Sequence, residues 1–214
     1  MYVAIEGVIG VGKTSLARLL QPAFEANLLL EVFEENPFLS NFYQDRNRYA
    51  FQTQMFFLLS RYHQQRRNVP EMLTAGKPLL SDYTFDKDAL FARTNLEGDE
   101  LDMYYKLHEA LAEKIPPPDI TVYLRASTDT LMHRITLRDR AIERSMERAY
   151  ISMLNEAYDE CFLQPEGKRT ILIIDSNELD FVKNDEDLKW IENRIRQRLH
   201  LPPFQPELPI PEGN

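Results

Sequence analysis

A glycine-rich loop near the start of the chain constrains the fold more than any other feature. Residues 7–15 read GVIGVGKTS, and they stand between a short apolar run, Tyr2–Glu6, and a helical pattern that begins near Lys13. Glycines let the backbone turn its N–H groups inward, and the N-terminus of the following helix adds its positive end. The spacing G-x4-G-K-T therefore predicts a cradle for the phosphates of a nucleoside triphosphate.

Individual residues of this loop have predicted tasks. Lys13 is expected to bridge the outer phosphates, and the Thr14 hydroxyl is expected to ligate Mg²⁺. The predicted nucleotide contacts are Gly7, Gly10, Val11, Gly12, Lys13, Thr14 and Ser15 of the loop, together with Arg138 and Arg140. Kinases of small molecules, GTPase switches and motor-like ATPases share such a loop. The sequence has no Asn-Lys-x-Asp guanine motif and is shorter than most motor ATPases. These two features favour a kinase of small molecules.

Four further apolar runs predict buried strands that alternate with helices. The runs are 27–31, 78–83, 119–124 and 170–175. The predicted helices are 13–21, which Pro22 is expected to end, 48–67, 85–93, 100–114, 129–137, 141–163 and 185–199. Continuously apolar strands that alternate with helices indicate an α/β fold, a parallel sheet of five strands with helices on both faces.

Acidic residues close several of these predicted strands. Glu6, Glu31 and Asp175 end their runs, and Asp82 stands next to the end of another. In open parallel sheets, ligands bind beyond the carboxyl ends of the strands. These carboxylates are therefore candidates for a site.

Composition limits the partners and the compartment. The 214 residues predict one domain, 1–200, followed by a proline-rich tail, 201–214. A net charge of −9 argues against a nucleic-acid polymer as partner, because a polyanion binder needs a broad basic face. No apolar run approaches the ~20 residues of a membrane span, and no signal peptide is recognisable. With the single cysteine, Cys161, these features predict a cytoplasmic protein.

Arginines cluster at residues 134–143 of this otherwise acidic chain. Arg134 and Arg138 lie four residues apart, on one helical face, and Arg140 follows. Guanidinium groups stabilise the negative charge that spreads over a phosphoryl group in transfer. The segment 134–147 is therefore predicted to form a lid that also excludes water, although a solvated helix face paired with nearby acids would give the same pattern.

Together, these motifs resemble those of the deoxynucleoside kinases, and most of all the bacterial deoxyguanosine/deoxyadenosine kinase branch. The resemblance covers residues 2–175. Its motifs are the loop Gly7–Thr14, ENPFL at 35–39, FQTQMFFLLSR at 51–61, Asp82-Tyr83-Thr84, and Arg134-x3-Arg138-x-Arg140-x2-Glu143. The resemblance implies a P-loop kinase fold, a homodimer, and transfer of the terminal phosphate of ATP, with Mg²⁺, to the 5′-hydroxyl of a deoxynucleoside. The branch implies a purine.

The resemblance also implies the reacting groups. Glu31 is the expected general base for the 5′-hydroxyl, with Glu34 and Glu35 as alternatives near it in sequence. Asp82 is the expected acid near Mg²⁺. The expected catalytic set is Lys13, Glu31, Arg134, Arg138 and Arg140.

Recognition of the nucleobase is expected from the long helix. Gln54 and Arg61 are seven residues apart, about two helical turns, so both point the same way. A polar pair on so apolar a helix is costly unless something satisfies it, and a base edge is one such partner. Asp88 is expected to assist Arg61, and Gln52 is the competing glutamine. Bonds from Gln54 and Arg61 to neighbouring protein groups are the other interpretation.

The sugar contacts follow from the same resemblance. Tyr43 and Glu143 are expected to hold the 3′-hydroxyl, so that a 2′-hydroxyl would be crowded. Phe38, Phe57 and Phe85 are expected walls of the base site, although aromatic residues at such positions are more often plain core.

The chain departs from the family pattern at Tyr83, where many members carry an arginine between the acid and a Ser or Thr. That arginine lies by the base glutamate and the 5′-oxygen. Tyr83 cannot supply the charge. We expect Arg134 or Lys13 to replace it, or the acceptor to bind differently.

Two other functions remain open from the sequence. A nucleoside monophosphate kinase of the thymidylate kinase type shares the loop and lid, but the acidic residues near Glu31 would repel the phosphate of its acceptor. A non-catalytic nucleotide-binding subunit would explain the missing arginine. The apolar stripes of helices 48–67 and 100–114 favour a homodimer or simply cover the sheet.

Overall fold

The computed structural model describes residues 1–163 and 170–203, and a parallel sheet forms its centre. The strands are β1 (Tyr2–Glu6), β2 (Asn27–Leu29), β3 (Leu79–Ser81), β4 (Ile120–Arg125) and β5 (Ile171–Asp175). They are ordered β2-β3-β1-β4-β5, and every neighbouring pair is parallel. The predicted five-stranded parallel sheet is confirmed.

Eight α-helices occur in the described part of the chain. They are α1 (Lys13–Phe24), α2 (Leu39–Gln44), α3 (Arg46–Thr74), α4 (Lys87–Asn95), α5 (Gly98–Ala112), α6 (Thr128–Arg138), α7 (Arg148–Leu163) and α8 (Asp185–Arg198). Single-turn 3-10 helices span Phe33–Glu35 and Ala141–Glu143. Strands and helices thus alternate, as predicted.

The central strand β1 is covered by apolar side chains on both faces of the sheet. Its alternate side chains belong to different apolar clusters: Val3 and Ile5 to one, Tyr2 and Ala4 to another that includes Val69 of α3. Successive side chains of a strand point to opposite faces, so each face of β1 meets its own apolar layer. This explains why the strand is apolar without alternation.

Two helices continue past a proline, so the expectation that Pro22 ends the first helix is wrong. α1 runs to Phe24 and stops at Glu25, whose φ of 47° is left-handed. α3 extends beyond the predicted 48–67 to Thr74, through Pro70. Each proline removes one backbone hydrogen bond within the last turns of its helix, and packing of the apolar face outweighs that loss.

The predicted single helix 141–163 is also wrong, because its first part is a turn. α6 ends at Asp139 in a left-handed conformation, a 3-10 turn follows, and α7 begins only at Arg148. Arg138 and Arg140 both pair with Glu143 across this turn. The ion pairs close the turn locally and so compete with a continuous helix.

The strand order places the glycine-rich loop at the middle of the sheet. β1 lies between β3 and β4. The strands β2 and β3 lie on one side of it and β4 and β5 on the other, so the loop after β1 leaves the sheet where the strand order reverses. Such a switch point is where open α/β sheets bind ligands. β2 lies beyond β3, which brings the residues after β2 to the same edge.

The structure describes only the first residues of the C-terminal tail. Residues 201–203 have no regular structure, and the rest of the predicted tail, 204–214, is outside the described residues, as is 164–169. Among the described residues, we find no helix that combines the length and the apolarity needed to cross a membrane.

The end of β1 offers a test of this packing. A Cβ on Gly7 would lie 2.5 Å from the Leu124 carbonyl oxygen, at a φ of +146°, whereas a Cβ on Gly76, at +76°, would meet nothing within 4 Å. Gly76→Ala should therefore lose about 1 kcal/mol of unfolding free energy, from backbone strain alone. Gly7→Ala should lose roughly 2–4 kcal/mol, because a clash is added. Urea unfolding of the two variants checks this, and equal losses would contradict it.

Candidate active site

A cavity of about 250 Å³ opens beside the glycine-rich loop. Loop, strand-end and helix residues from seven parts of the chain line it. The predicted site residues in its lining are Gly10, Gly12, Lys13, Thr14, Ser15, Glu31, Tyr43, Arg61, Asp82, Arg138, Arg140 and Glu143. The structure does not bring Gly7, Val11, Gln54, Asp88 or Arg134 to that lining.

The phosphate side of the cavity is built by the loop and the start of α1. Gly10 and Gly12 have φ values of +89° and +104°, which allow the tight turn around the cradle. The Lys13 ammonium donates to the carbonyl of Gly7 at 2.6 Å and to that of Val8 at 3.3 Å. Burial lowers the pKa of Lys13 to about 8, and Lys87 acts in the same direction. A buried cation that is only partly compensated suits an incoming phosphate.

Asp82 joins the phosphate side to the acceptor side. Its Oδ2 accepts a hydrogen bond from the Thr14 hydroxyl at 2.5 Å, and its Oδ1 accepts one from the Glu31 backbone N–H at 2.8 Å. Asp82 is 3% exposed, so these bonds satisfy a buried carboxylate. One side chain thereby fixes the Thr14 hydroxyl relative to Glu31.

Two cations hold the Glu31 carboxylate. Oε1 accepts from Nε of Arg61 at 2.8 Å and from Nη2 at 2.5 Å, and Oε2 accepts from Nζ of Lys87 at 2.8 Å. Burial alone would raise the pKa of Glu31, but Arg61 and Lys87 outweigh it and hold the pKa well below its usual range. The carboxylate is therefore ionised and aimed into the cavity. Its rivals Glu34 and Glu35 are exposed and lie outside the lining.

Behind Arg61 lies a buried polar layer. Nη1 of Arg61 donates to Oδ1 of Asp88, which is fully buried. The second oxygen of Asp88 and the Oε1 of Gln54, which is 2% exposed, have no hydrogen-bond partner among the described residues. Buried acceptors are rarely left unsatisfied. Arg61, which lines the cavity, connects this layer to it.

The turn after α6 contributes two arginines and a carboxylate. Glu143, 6% exposed, accepts from Arg138 at 2.6 Å and pairs with Arg140 at 3.6 Å. The Arg140 guanidinium lies 4.4 Å from the centre of the Phe33 ring, which also lines the cavity. Tyr43 of α2 also lines the cavity. The predicted sugar contacts, Tyr43 and Glu143, thus share one cavity with two of the three predicted lid arginines.

Arg134 occupies a different place. Its guanidinium donates to the carbonyls of Ser176 at 2.5 Å and Leu179 at 3.2 Å, and to that of Val11 at 3.4 Å. These bonds connect α6 to the segment after β5 and to the back of the glycine-rich loop. In this structure Arg134 supports the loop from outside the cavity.

The other strand-end acids are structural neighbours rather than lining residues. Glu6 is fully buried and accepts from the Thr84 backbone N–H at 2.6 Å and from the Tyr158 hydroxyl at 3.2 Å. Burial raises its pKa. Asp175 accepts from the backbone and side chain of Asn177. Glu6 thus braces the base of the loop.

Among the predicted aromatic walls, only Phe57 is in the lining, where its ring lies 4.4 Å from the Arg61 guanidinium. Phe38 is not in the lining, and Phe85 stacks on His108 at 4.8 Å. The lining residues that the sequence analysis missed are Ile9, Arg18, Phe33, Leu39, Lys87, Phe91 and Ile142. The only sequence signal for Lys87 is its spacing, four residues after the unusual Tyr83.

Residues 3–200 match the family model described as deoxynucleoside kinase. The chain belongs to the deoxynucleoside kinase family. It is therefore a phosphotransferase that acts on a deoxynucleoside, and members of this family use ATP as phosphate donor. This match does not favour the alternatives left open by the sequence, a nucleoside monophosphate kinase or a non-catalytic subunit.

Individual proteins agree with the family match. This kinase is 35% identical to the deoxyguanosine kinase of Bacillus subtilis (strain 168), covering 92% of this chain and 96% of that protein. It is 33% identical to the deoxyadenosine kinase of Dictyostelium discoideum, with 89% and 78% covered. The solved structure of deoxyadenosine kinase from M. mycoides with bound dCTP superposes with a TM-score of 0.79 at 25% identity, covering 92% of this chain and 100% of that one.

Proton uptake should accompany nucleotide binding. At pH 8 about half of Lys13 is neutral, because its pKa is about 8, and a triphosphate favours its ammonium form. Binding of ADP at pH 8 should therefore take up about half a proton, and the uptake should vanish below about pH 7. Isothermal titration calorimetry in two buffers of different ionisation enthalpy measures it. Lys13→Arg, which stays charged, is the control. A buffer-independent enthalpy for the unsubstituted kinase at pH 8 would contradict this assignment.

Proposed function

We propose that this kinase transfers the terminal phosphate of ATP, with Mg²⁺, to the 5′-hydroxyl of a purine deoxynucleoside. One observation carries the assignment of groups: the Glu31 carboxylate and the Lys13 loop face the same cavity, and Asp82 ties them together. The purine preference is supported by the names of similar relatives, a deoxyguanosine kinase and a deoxyadenosine kinase.

In this proposal Glu31 acts as general base. It accepts the 5′-hydroxyl proton while the 5′-oxygen attacks the terminal phosphorus, and the bond to the bridging oxygen breaks so that ADP leaves with that electron pair. Lys13, Arg138 and Arg140 offset the charge on the phosphoryl oxygens from the loop side and from the lid side. Arg134 contributes from behind the loop, through its bond to the Val11 carbonyl.

Thr14 and Asp82 fit a magnesium ion. Their oxygens lie 2.5 Å apart on the phosphate side of the cavity, and Mg²⁺ prefers a few protein oxygens beside phosphate and water. When bound, the ion would neutralise charge on the phosphates. Thr14 and Asp82 would then hold it in register with Glu31.

The sugar and base contacts complete the proposal. Burial raises the pKa of Tyr43 well above its usual value, so its phenol stays a donor for the 3′-hydroxyl. Glu143 accepts from the same hydroxyl, and its pairs with Arg138 and Arg140 would link sugar binding to the lid.

The base is read by the polar layer around Arg61. The two acceptors without partners in the described chain, on Gln54 and Asp88, suit the N–H groups that a purine offers along its edge. Neither acceptor lines the cavity in this structure. We infer that the base reaches this layer beside Arg61 and Phe57.

The assembly and setting are further proposals. We infer a homodimer, supported by exposed apolar side chains on the long helices, Leu59 at 41% on α3 and Met103 at 58% on α5. Tyr104, on the same helix α5, is fully buried, so it belongs to the core and not to this exposed surface. We further propose that residues 1–200 act as one cytoplasmic kinase domain, without a nucleic-acid polymer or a membrane as partner, in keeping with the net charge of −9.

The general base provides the direct test. Initial rates with ATP and Mg²⁺ should be at least about tenfold higher for deoxyguanosine or deoxyadenosine than for the pyrimidine deoxynucleosides or for deoxyguanosine monophosphate, a difference of about 1.4 kcal/mol. Glu31→Gln should lower kcat by about 10²–10⁴-fold, since proton transfer is lost, while the KM for the nucleoside stays within a few-fold.

Glu34→Gln is the matched control, because Glu34 is exposed and off the cavity. Its rates should equal those of the unsubstituted kinase. Normal turnover by Glu31→Gln would show that another group takes the proton.

A further inference from the structure

Lys87 is a buried cation that the sequence patterns did not single out. It is the first residue of α4, is 4% exposed, and lines the cavity. Its ammonium lies 2.8 Å from Oε2 of Glu31. An ammonium withdrawn from water loses several kcal/mol of hydration, which a single ion pair only partly restores. A lysine is therefore an expensive choice here if it only holds a carboxylate.

A second cation makes the position of Lys87 still less favourable. Lys87 is close enough to Lys13 to lower its pKa, so the two ammonium groups oppose each other in the protein. Arg61 already donates twice to the other oxygen of Glu31. Each oxygen of Glu31 thus has its own cation, and an incoming phosphoryl group would offer Lys87 a second anionic partner between Glu31 and the loop of Lys13.

The surroundings of Lys87 leave its ammonium free to change partners. The rings of Tyr83 and Phe91 lie beside it, with centroids 5.9 Å and 5.7 Å from Nζ. The Tyr83 hydroxyl is engaged elsewhere, by Gln64 at 2.5 Å. Aromatic walls support a cation without fixing its direction. Tyr83 cannot supply a positive charge, but its ring forms a wall beside the ammonium of Lys87, four residues later.

We propose that Lys87 is a catalytic residue that contacts the phosphoryl group during transfer. This inference rests on the proposed function. In the free kinase Lys87 pairs with Glu31. When the acceptor hydroxyl binds and donates to Glu31 in place of Lys87, the Lys87 ammonium turns to the non-bridging oxygens of the terminal phosphate. No bond to Lys87 forms or breaks: the proton goes from the 5′-oxygen to Glu31, and the electron pair of the broken P–O bond leaves with ADP.

The neighbours of Lys87 agree with this role. Lys87 interacts with Glu6 at the end of β1, with Lys13 at the start of α1 and with Glu31 after β2. Glu31 in turn contacts Arg61 on α3 and Asp82 after β3. Lys13 approaches the phosphates from the loop, and Arg138 and Arg140 approach from the lid. Lys87 adds a cation on the acceptor side. The charge that moves between donor and acceptor is then flanked on both sides.

Two substitutions separate a catalytic contact from a purely structural one. Lys87→Gln keeps a donor for Glu31 but removes the charge, whereas Lys87→Arg keeps the charge. With deoxyguanosine and ATP-Mg²⁺, Lys87→Gln should lower kcat by about 10²–10³-fold, the usual loss for an electrostatic contact to a transition state. The KM for the nucleoside should stay within about threefold. Lys87→Arg should recover at least about tenfold of the lost kcat.

A double-mutant cycle with Glu31→Gln is the deciding measurement. If Lys87 contacts the phosphoryl group, Lys87→Gln should still lower the residual kcat of Glu31→Gln by at least about tenfold. No further loss in that background would overturn the proposal, because Lys87 would then act only by holding Glu31. Unchanged kcat in Lys87→Gln alone would also overturn it.

Controls keep the outcomes distinct. Lys183→Gln, at a lysine whose side chain is 83% exposed and paired with Asp180, should leave kcat unchanged. Urea unfolding verifies that each variant is folded, and Lys87→Met replaces Lys87→Gln in the cycle if the latter does not fold. Absence of deoxynucleoside phosphorylation by the unsubstituted kinase would refute the proposed function itself, whereas an active kinase that is insensitive to Lys87 would refute this inference alone.

Discussion

Two buried cations converge on one carboxylate, and the rest of the site depends on that arrangement. Arg61 and Lys87 come from different helices and take one oxygen each of Glu31. Removing one partner of a buried ion pair leaves a charge that neither water nor protein satisfies. The pairs therefore hold α3 and α4 against the residues after β2. They also keep Glu31 ionised and directed at the loop.

The sheet order makes this convergence possible. Because β3 separates β1 from β2, the residues after β2 and the loop after β1 face each other across Asp82. Asp82 then sets the register between the Thr14 hydroxyl and Glu31. The topology thus brings the proposed donor and acceptor sites next to each other, and helices α2, α3 and α4 line the cavity beside them. This geometry favours a direct transfer between two bound substrates.

Local patterns were enough to predict the sheet and the glycine-rich loop, whereas the resemblance to the family supplied the roles of other lining residues such as Glu31, Tyr43 and Asp82. Gly12, Lys13 and Thr14 are consecutive residues of one motif, so the sequence alone predicts them as a group. Predictions failed where long-range contacts decide. Pro22 lies inside α1 because the packing of the helix outweighs one lost hydrogen bond. The chain turns at Asp139 because the ion pairs of Arg138 and Arg140 with Glu143 compete with a continuous helix.

The same limit applies to single side chains in the site. Arg134 carries the charge expected of a lid residue, but carbonyls from distant segments hold it behind the loop. Lys87 carries no motif, and only the fold reveals that its ammonium meets Glu31. Spacing along a helix gives the face on which a residue lies. It does not give what that face meets.

A crystal structure of this kinase with deoxyguanosine and a non-hydrolysable ATP analogue would test the central claim most directly. The measured quantity is the distance from the nucleoside 5′-oxygen to the Glu31 carboxylate. We predict about 2.6–3.2 Å, hydrogen-bond reach for a general base, with the terminal phosphate on the loop side of that oxygen. A 5′-oxygen directed away from Glu31, or a carboxylate still locked between Arg61 and Lys87 in that complex, would contradict the account.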